Sequence, residues 1–368
     1  MTESNALTPE DPRLRALPVQ CIELPDGMLL VRGSTEFKIS GEGAAEAVQI
    51  VLAAAAGEGK TRQELLDYFG AIDRPGAEEL VQILETRRLL VPSDAFPPPG
   101  ANGESAHEVF YWEFGERADR VAARLSTQRI AILGVNGISQ QLVHALSQCG
   151  FERVDVVDYP LLRNQRLFPD DTPAAGEWTG PTPLPFAEWE PRLEEGIDCL
   201  VATADFSGQQ VMRHWNALCV QRGCTFLPVM LDRAIGFVGP LVVPGETACY
   251  ECLRDRENAS FEKPELRRAA ENLAAVIQRP TLHGFLPPMA SILGDLAAME
   301  LTKFYGGVLT AKVGTVLEVN LLRPELRDRK VLKAPRCKVC SPLIRRGTIN
   351  LNTVSFLPGE HLARPMNQ

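Results

Sequence analysis

The chain has no uninterrupted apolar run of the roughly 18 to 20 residues needed to span a bilayer, so a membrane is not an expected partner. Its first residues, MTESNALTPEDP, have no positive stretch followed by an apolar core and do not read as a secretion signal. A basic surplus is also missing, with 38 Lys and Arg against 47 Asp and Glu and a net charge of −9. Nucleic acid is bound through a basic footprint, so it too is not expected. These absences make the cytoplasm the expected compartment. An apolar content of 45% and a charged content of 23% are those of an ordinary globular protein. The length, 368 residues, admits two domains. Nine cysteines in a chain with no signal should be reduced thiols, and any that cluster should be metal ligands.

Residues 1–15 are polar, hold two prolines and read as a flexible tail. Residues 16–95 form a module of their own. VQCIEL and GMLLVRG are β-type runs separated by the turn residues Pro25-Asp26-Gly27, and EFKIS supplies a third strand. Three helical stretches follow: residues 43–56, a capping box from Thr61 to Glu64 ahead of Leu65 and Leu66, and residues 75–88 with Leu80, Ile83 and Leu84 at helical spacing. Strands followed by helices in this order make a winged-helix-like βββααα domain. Residues 96–108, with stiff prolines and then small residues, read as a linker. A helix is expected from Tyr111 to Leu125. Residues 109–345 are expected to form an α/β domain and residues 346–368 a C-terminal tail.

That second domain opens with RIAILGVNGISQQLVHALSQC, residues 129–149, which reads as strand, tight turn and helix. Gly134, Asn136 and Gly137 lie where backbone N–H groups and a helix N-terminus could receive a phosphate. The third glycine of a dinucleotide loop is missing. Asp158 ends the next strand at the spacing of a ribose-binding acid, a place where a helix cap is also common. The pairs Cys249/Cys252 and Cys337/Cys340 are the most specific signal. Each CxxC turn presents two thiolates, and two such turns complete a closed tetrahedral zinc site with no position left for catalysis. Such a site closes a loop of about 85 residues whose ordering would otherwise cost chain entropy. The remaining cysteines sit mostly in apolar runs. Phe285 to Tyr305 is a long helical segment whose broad apolar surface is core or interface.

The N-terminal pattern, with phrases such as TRQELLDYFG and LVQILETRRLLV, resembles the leader-peptide recognition element of ribosomal-peptide-modifying enzymes. That resemblance implies that a peptide adds as a strand beside Glu36, Phe37, Lys38 and Ile39 and meets Leu80, Ile83, Leu84 and Arg87. Downstream, GPLVVPGETACYEC and PRCKVCS are similar to the E1-like superfamily of adenylyltransferases, in its peptide-modifying branch. The implied fold is a Rossmann-like α/β domain with a mostly parallel sheet and a structural zinc held by four cysteines, preceded by the winged-helix-like domain. One type in that branch adenylates a peptide carboxylate with ATP and Mg²⁺. The other binds the leader and delivers the precursor to a separate YcaO-type cyclodehydratase. Homodimers are common in the superfamily.

Carried over residue by residue, the resemblance implies an eroded ATP site. GVNGIS replaces a GxGGxG loop, and a side chain at those glycine positions obstructs close approach of a phosphate. Asn164 falls where the family has a triphosphate-binding arginine, leaving Arg163 or Arg166 to stand in by a small shift. No lysine lies anywhere between Lys60 and Lys263 to replace the family's triphosphate lysine. Asp205 matches the Mg²⁺-binding aspartate. Removing even one such stabiliser of the leaving group commonly costs a few kcal/mol of barrier. Cys219 and Cys224 lie in the region of the superfamily's catalytic cysteine but have no evident context for a lowered pKa except Arg222. The expectation is therefore a leader-binding partner protein, with an ATP-dependent peptide adenylyltransferase as the alternative.

Overall fold

The computed structural model describes residues 12–96, 105–165, 167–168, 178–206, 208–260, 262–263, 265–266, 269, 284–323 and 325–341. The expected C-terminal tail, 346–368, lies outside the described residues. Backbone contacts divide the chain into two compact units, Met1–Val121 and Ala122–Gln368.

In the first unit, β2 (Gln20–Leu24), β3 (Gly27–Arg32) and β4 (Thr35–Ser40) form an antiparallel sheet in that order. Gly27 permits the tight β2–β3 connection, because its φ is +154° and a Cβ there would lie 2.0 Å from the Ile39 carbonyl oxygen. Met28 and Leu30, on one face of the central strand, enter a core with Val48 and Val51 of α1 (Ala44–Ala54), Leu65 and Leu66 of α2 (Arg62–Leu66), and Leu80, Val81 and Leu84 of α3 (Arg74–Thr86). Thr61 and Glu64 close the expected capping box at the start of α2.

Two expectations are corrected in this unit. The N-terminal tail ends before residue 15, because Leu14 to Ala16 form a strand, β1, that pairs antiparallel with β5 (Leu90–Pro92) and buries Leu14 in the core. The expected single helix from Tyr111 to Leu125 is two, α4 (Ala106–Trp112) and α5 (Ala118–Ser126). Between them Gly115 adopts φ +74°, which a continuing helix does not admit. The boundary therefore falls later than the 96–108 linker, of which 97–104 lie outside the described residues. Trp112 packs against Leu17, Val91 and Phe96, so α4 belongs with the first unit.

The second unit is built on an eight-stranded sheet of order β13-β12-β11-β10-β9-β6-β7-β8. Its parallel part comprises β6 (Arg129–Leu133), β7 (Arg153–Asp158), β8 (Leu184–Pro185), β9 (Cys199–Ala204) and β10 (Thr225–Asp232). All six residues of β9 are buried, the continuous apolar run of a strand covered on both faces. Three antiparallel strands extend this sheet: β11 (Ile235–Val238), β12 (Thr315–Asn320) and β13 (Glu325–Lys330). The helices include α6 (Gly137–Cys149), α7 (Phe186–Trp189), α8 (Gln209–Arg222), α9 (Tyr250–Ala259) and α10 (Pro287–Gly306). α10, the expected long apolar helix, packs on α6, where a Cβ on Gly294 would lie 2.9 Å from the Gln141 Cβ. None of the described helices is long and apolar enough to cross a membrane.

Candidate functional site

The sequence points to three sets of residues. In the first unit, β4 is an outer strand of its sheet, with no further strand paired to its outer edge among the described residues. Glu36 and Lys38 are exposed and alternate with half-buried Phe37 and Ile39. Lys38 Nζ donates to Asp26 at 2.6 Å, and the Arg87 guanidinium lies 5.4 Å from the centre of the Phe37 ring. Ile83 is half-buried. Leu80 and Leu84 are turned into the core, so they support this face from beneath and are not exposed to a peptide.

The second set lies at the C-terminal ends of β6, β7 and β9. Gly134 follows β6 with φ +114°, and a Cβ there would come within 2.9 Å of the carbonyl oxygens of both Thr203 and Leu162. Asn136 is wholly buried and caps α6. Its Oδ1 accepts from the N–H groups of Ile138 and Ser139, each at 3.1 Å. Its Nδ2 donates to Leu162 O at 3.1 Å, Thr203 O at 2.9 Å and Thr203 Oγ1 at 3.0 Å. The N–H of Gly137, the first residue of the helix, donates to Asp205 Oδ2 at 2.9 Å. The orphan donors of the first turn of α6, which would otherwise face an anion, are thus held by Asn136 and Asp205.

Asp205 follows β9 and is fully buried. Its second oxygen, Oδ1, accepts from Asn164 Nδ2 at 2.8 Å. Asn164 therefore stands beside the carboxylate from the position where the family pattern calls for arginine. Arg163 is buried and already engaged, since it forms an ion pair with Asp158 and donates from Nε to Phe168 O at 2.8 Å. Asp158 meets this guanidinium where the sequence suggested a ribose. Arg166 lies outside the described residues. The partners Thr203 and Leu162 carry no sequence signal of their own, because only the sheet brings them to the loop.

Burial raises the Asp205 carboxyl from 3.8 to about 6, and its hydrogen bonds from Gly137 and Asn164 work the other way. Between those values the native state holds more protons than the unfolded chain, so stability falls as pH rises from about 4 to about 6, by about 3 kcal/mol for a two-unit shift. His214, buried on α8, is lowered from 6.5 to about 4 and acts in the opposite direction, losing stability as pH falls through that window. The two contributions offset one another in the native protein. Expected from this, His214→Gln removes the opposing contribution and leaves those of the carboxyls raised by burial, Asp205 and Glu251, so denaturant unfolding from pH 4 to 7 shows stability decreasing more steeply with pH than in the native protein. A variant curve parallel to that of the native protein would refute the assignment.

The third set is the four cysteines. Cys249 Sγ lies 3.6 Å from Cys337 Sγ and 3.9 Å from Cys252 Sγ, and Cys252 Sγ lies 3.4 Å from Cys340 Sγ. A tetrahedral ion with bonds of about 2.3 Å sets its ligands about 3.8 Å apart, so these thiols fit zinc. Asn216 Oδ1 accepts from Tyr250 N at 2.9 Å and Ala334 N donates to Cys252 Sγ at 3.3 Å, which orients both turns. Cys219 and Cys224 lie elsewhere. Cys224 immediately precedes β10, at the N-terminal end of the parallel strands, whereas Asp205 follows the C-terminal end of β9. A hydrogen bond with Cys219 lowers the Cys224 thiol, while burial holds Cys219 well above its ordinary value.

Residues 186–340, which include the thiol cluster and much of this sheet, match the ThiF family. Protein HesA of Leptolyngbya boryana is 26% identical over 125 residues, covering 34% of this chain and 38% of that protein. Escherichia coli MccB superposes with a TM-score of 0.63 at 17% identity over 89% of this chain and 97% of its own. A structure described as a heterocyclase in complex with substrate and cofactor gives a TM-score of 0.56 at 18% identity. There 92% of this chain corresponds to only 41% of the heterocyclase chain. These structural likenesses establish a common fold.

Proposed function

We propose that this chain binds the leader of a ribosomally made precursor peptide and presents it, in the cytoplasm, to a separate YcaO-type cyclodehydratase that forms azolines or azoles. The observation that carries this reading is the occupation of the first turn of α6 by Asn136 and Asp205. A triphosphate there would have to displace both side chains, and the sequence between Lys60 and Lys263 has no lysine to offset its charge. The outer edge of β4, unpaired among the described residues, supports the peptide role, since strand addition draws affinity from backbone hydrogen bonds. The heterocyclase resemblance supports the partner, because this chain corresponds to less than half of that longer chain. Cys249, Cys252, Cys337 and Cys340 would hold a structural zinc.

A second reading, ATP-dependent adenylation of a peptide carboxylate, draws on the MccB fold and the retained Asp205. Peptide-dependent ATP–pyrophosphate exchange and direct binding of a synthetic leader peptide separate the two. Leader binding without exchange is expected. Sustained exchange by the isolated protein overturns the proposal in favour of adenylation.

A further inference from the structure

A local surplus of basic residues lies in the segment that forms one edge of the large sheet of this acidic chain. From Lys312 to Ser341 there are eight Lys and Arg and three Asp and Glu, in a chain of net charge −9. The segment includes β13, the outermost strand, all six of whose residues are exposed. Leu322 is 72% exposed, Leu326 54% and Leu332 58%, three large apolar side chains within eleven residues of chain. Asn320 Oδ1 accepts from the N–H groups of Leu322 at 3.1 Å and Arg323 at 3.0 Å, which fixes the backbone at Leu322.

Several of the basic groups are already used: Lys312 pairs with Asp328, Arg327 with Glu325, and Arg329 with Glu257 and Glu318. Arg323, Lys330 and Arg336 enter no ion pair among the described residues. Asp232 at the end of β10 is opposite Ile235, and Ile235 is opposite Asn320 at the end of β12. The hairpin turn therefore stands at the same end of the sheet as Asp205.

We infer that the β12–β13 hairpin is a docking surface for a protein face with acidic groups around an apolar centre. Resting on the function proposed above, that face belongs to the cyclodehydratase. Charges alone would suffice to shield an exposed sheet edge from aggregation. Exposed Leu322 and Leu326, at the turn end of β13 beside Arg323, do not shield it, whereas Leu332 lies beyond the strand's other end; apolar side chains next to an arginine are the composition of an interface. Nucleic acid fits less well, because Glu318, Glu325 and Asp328 interrupt the basic run where phosphates would approach.

The test measures binding of a YcaO-type cyclodehydratase from the same organism by calorimetry at low and high salt, with leader binding and thermal unfolding measured in parallel. Arg323→Glu with Lys330→Glu is expected to weaken association about tenfold or more and to flatten its salt dependence. Leu322→Ser with Leu326→Ser is expected to weaken it at both salt concentrations, and both variants keep leader binding and melting temperature. Native affinity in both variants overturns the docking surface and leaves the proposed function standing. Leader binding without any association of the native protein with the cyclodehydratase overturns both. Tighter binding of a short DNA duplex than of the enzyme, lost in the charge variant, overturns the assignment to a protein partner.

Discussion

Removing zinc from the four cysteines is expected to destabilise the second unit by about 4 kcal/mol, the linkage effect of an ion held at free concentrations about a thousandfold above its dissociation constant. The thiols of Cys249 and Cys337 approach to 3.6 Å although 88 positions separate them, so the cluster closes a long loop that the unfolded chain leaves open. The physical consequence reaches beyond the turns themselves. Arg256 of α9 donates from Nε to Leu332 O at 3.0 Å, and Val331 N bonds Gly314 O at 2.8 Å, tying the chain after β13 back to the domain. Cys337→Ser leaves three thiolates and a looser ion. The measurements are metal content, expected at one zinc per chain, and thermal unfolding with and without a chelator. Full stability in a metal-free protein would mean that packing alone holds these turns, and the zinc assignment would fall.

Asn136→Ala is expected to be nearly as damaging, at about 3 to 5 kcal/mol, because the loss combines an N-cap with buried polar groups left unmade. Two helix N–H groups lose their acceptor, and the Leu162 and Thr203 carbonyl oxygens lose a donor. Asn136→Gly, which restores one of the two glycines of the family loop that this chain lacks, carries a similar loss. It is not expected to restore ATP–pyrophosphate exchange, because Asp205 still accepts from Gly137 N–H and from Asn164. Urea unfolding and the exchange assay check the two halves of this prediction. Exchange gained by the glycine variant would mean that Asn136 alone blocks an otherwise competent site.

Local sequence was sufficient where the chemistry is local. A CxxC turn places two thiols together by its own geometry, so the four cysteines that cluster as candidate metal ligands could be named before any fold was known. Turn residues and periodicity likewise revealed the βββααα order and the strand, loop and helix at residues 129–149. The helical reading failed between Tyr111 and Leu125, where Gly115 takes a left-handed conformation that the apolar spacing around it conceals. Only the tertiary structure decided that Trp112 joins the first unit and that Leu80 and Leu84 face its core. It also decided the fate of the nucleotide loop. The substitution at Asn136 is visible in the sequence, but its partners Leu162 and Thr203, and the bonded pair Asp205 and Asn164 beside it, come from the segments on or after β7 and β9. Parallel pairing of β6 with β7 and β9 brings those segments together, and it is this pairing that lets the side chains of Asn136 and Asp205 take the place of an anion at the helix terminus.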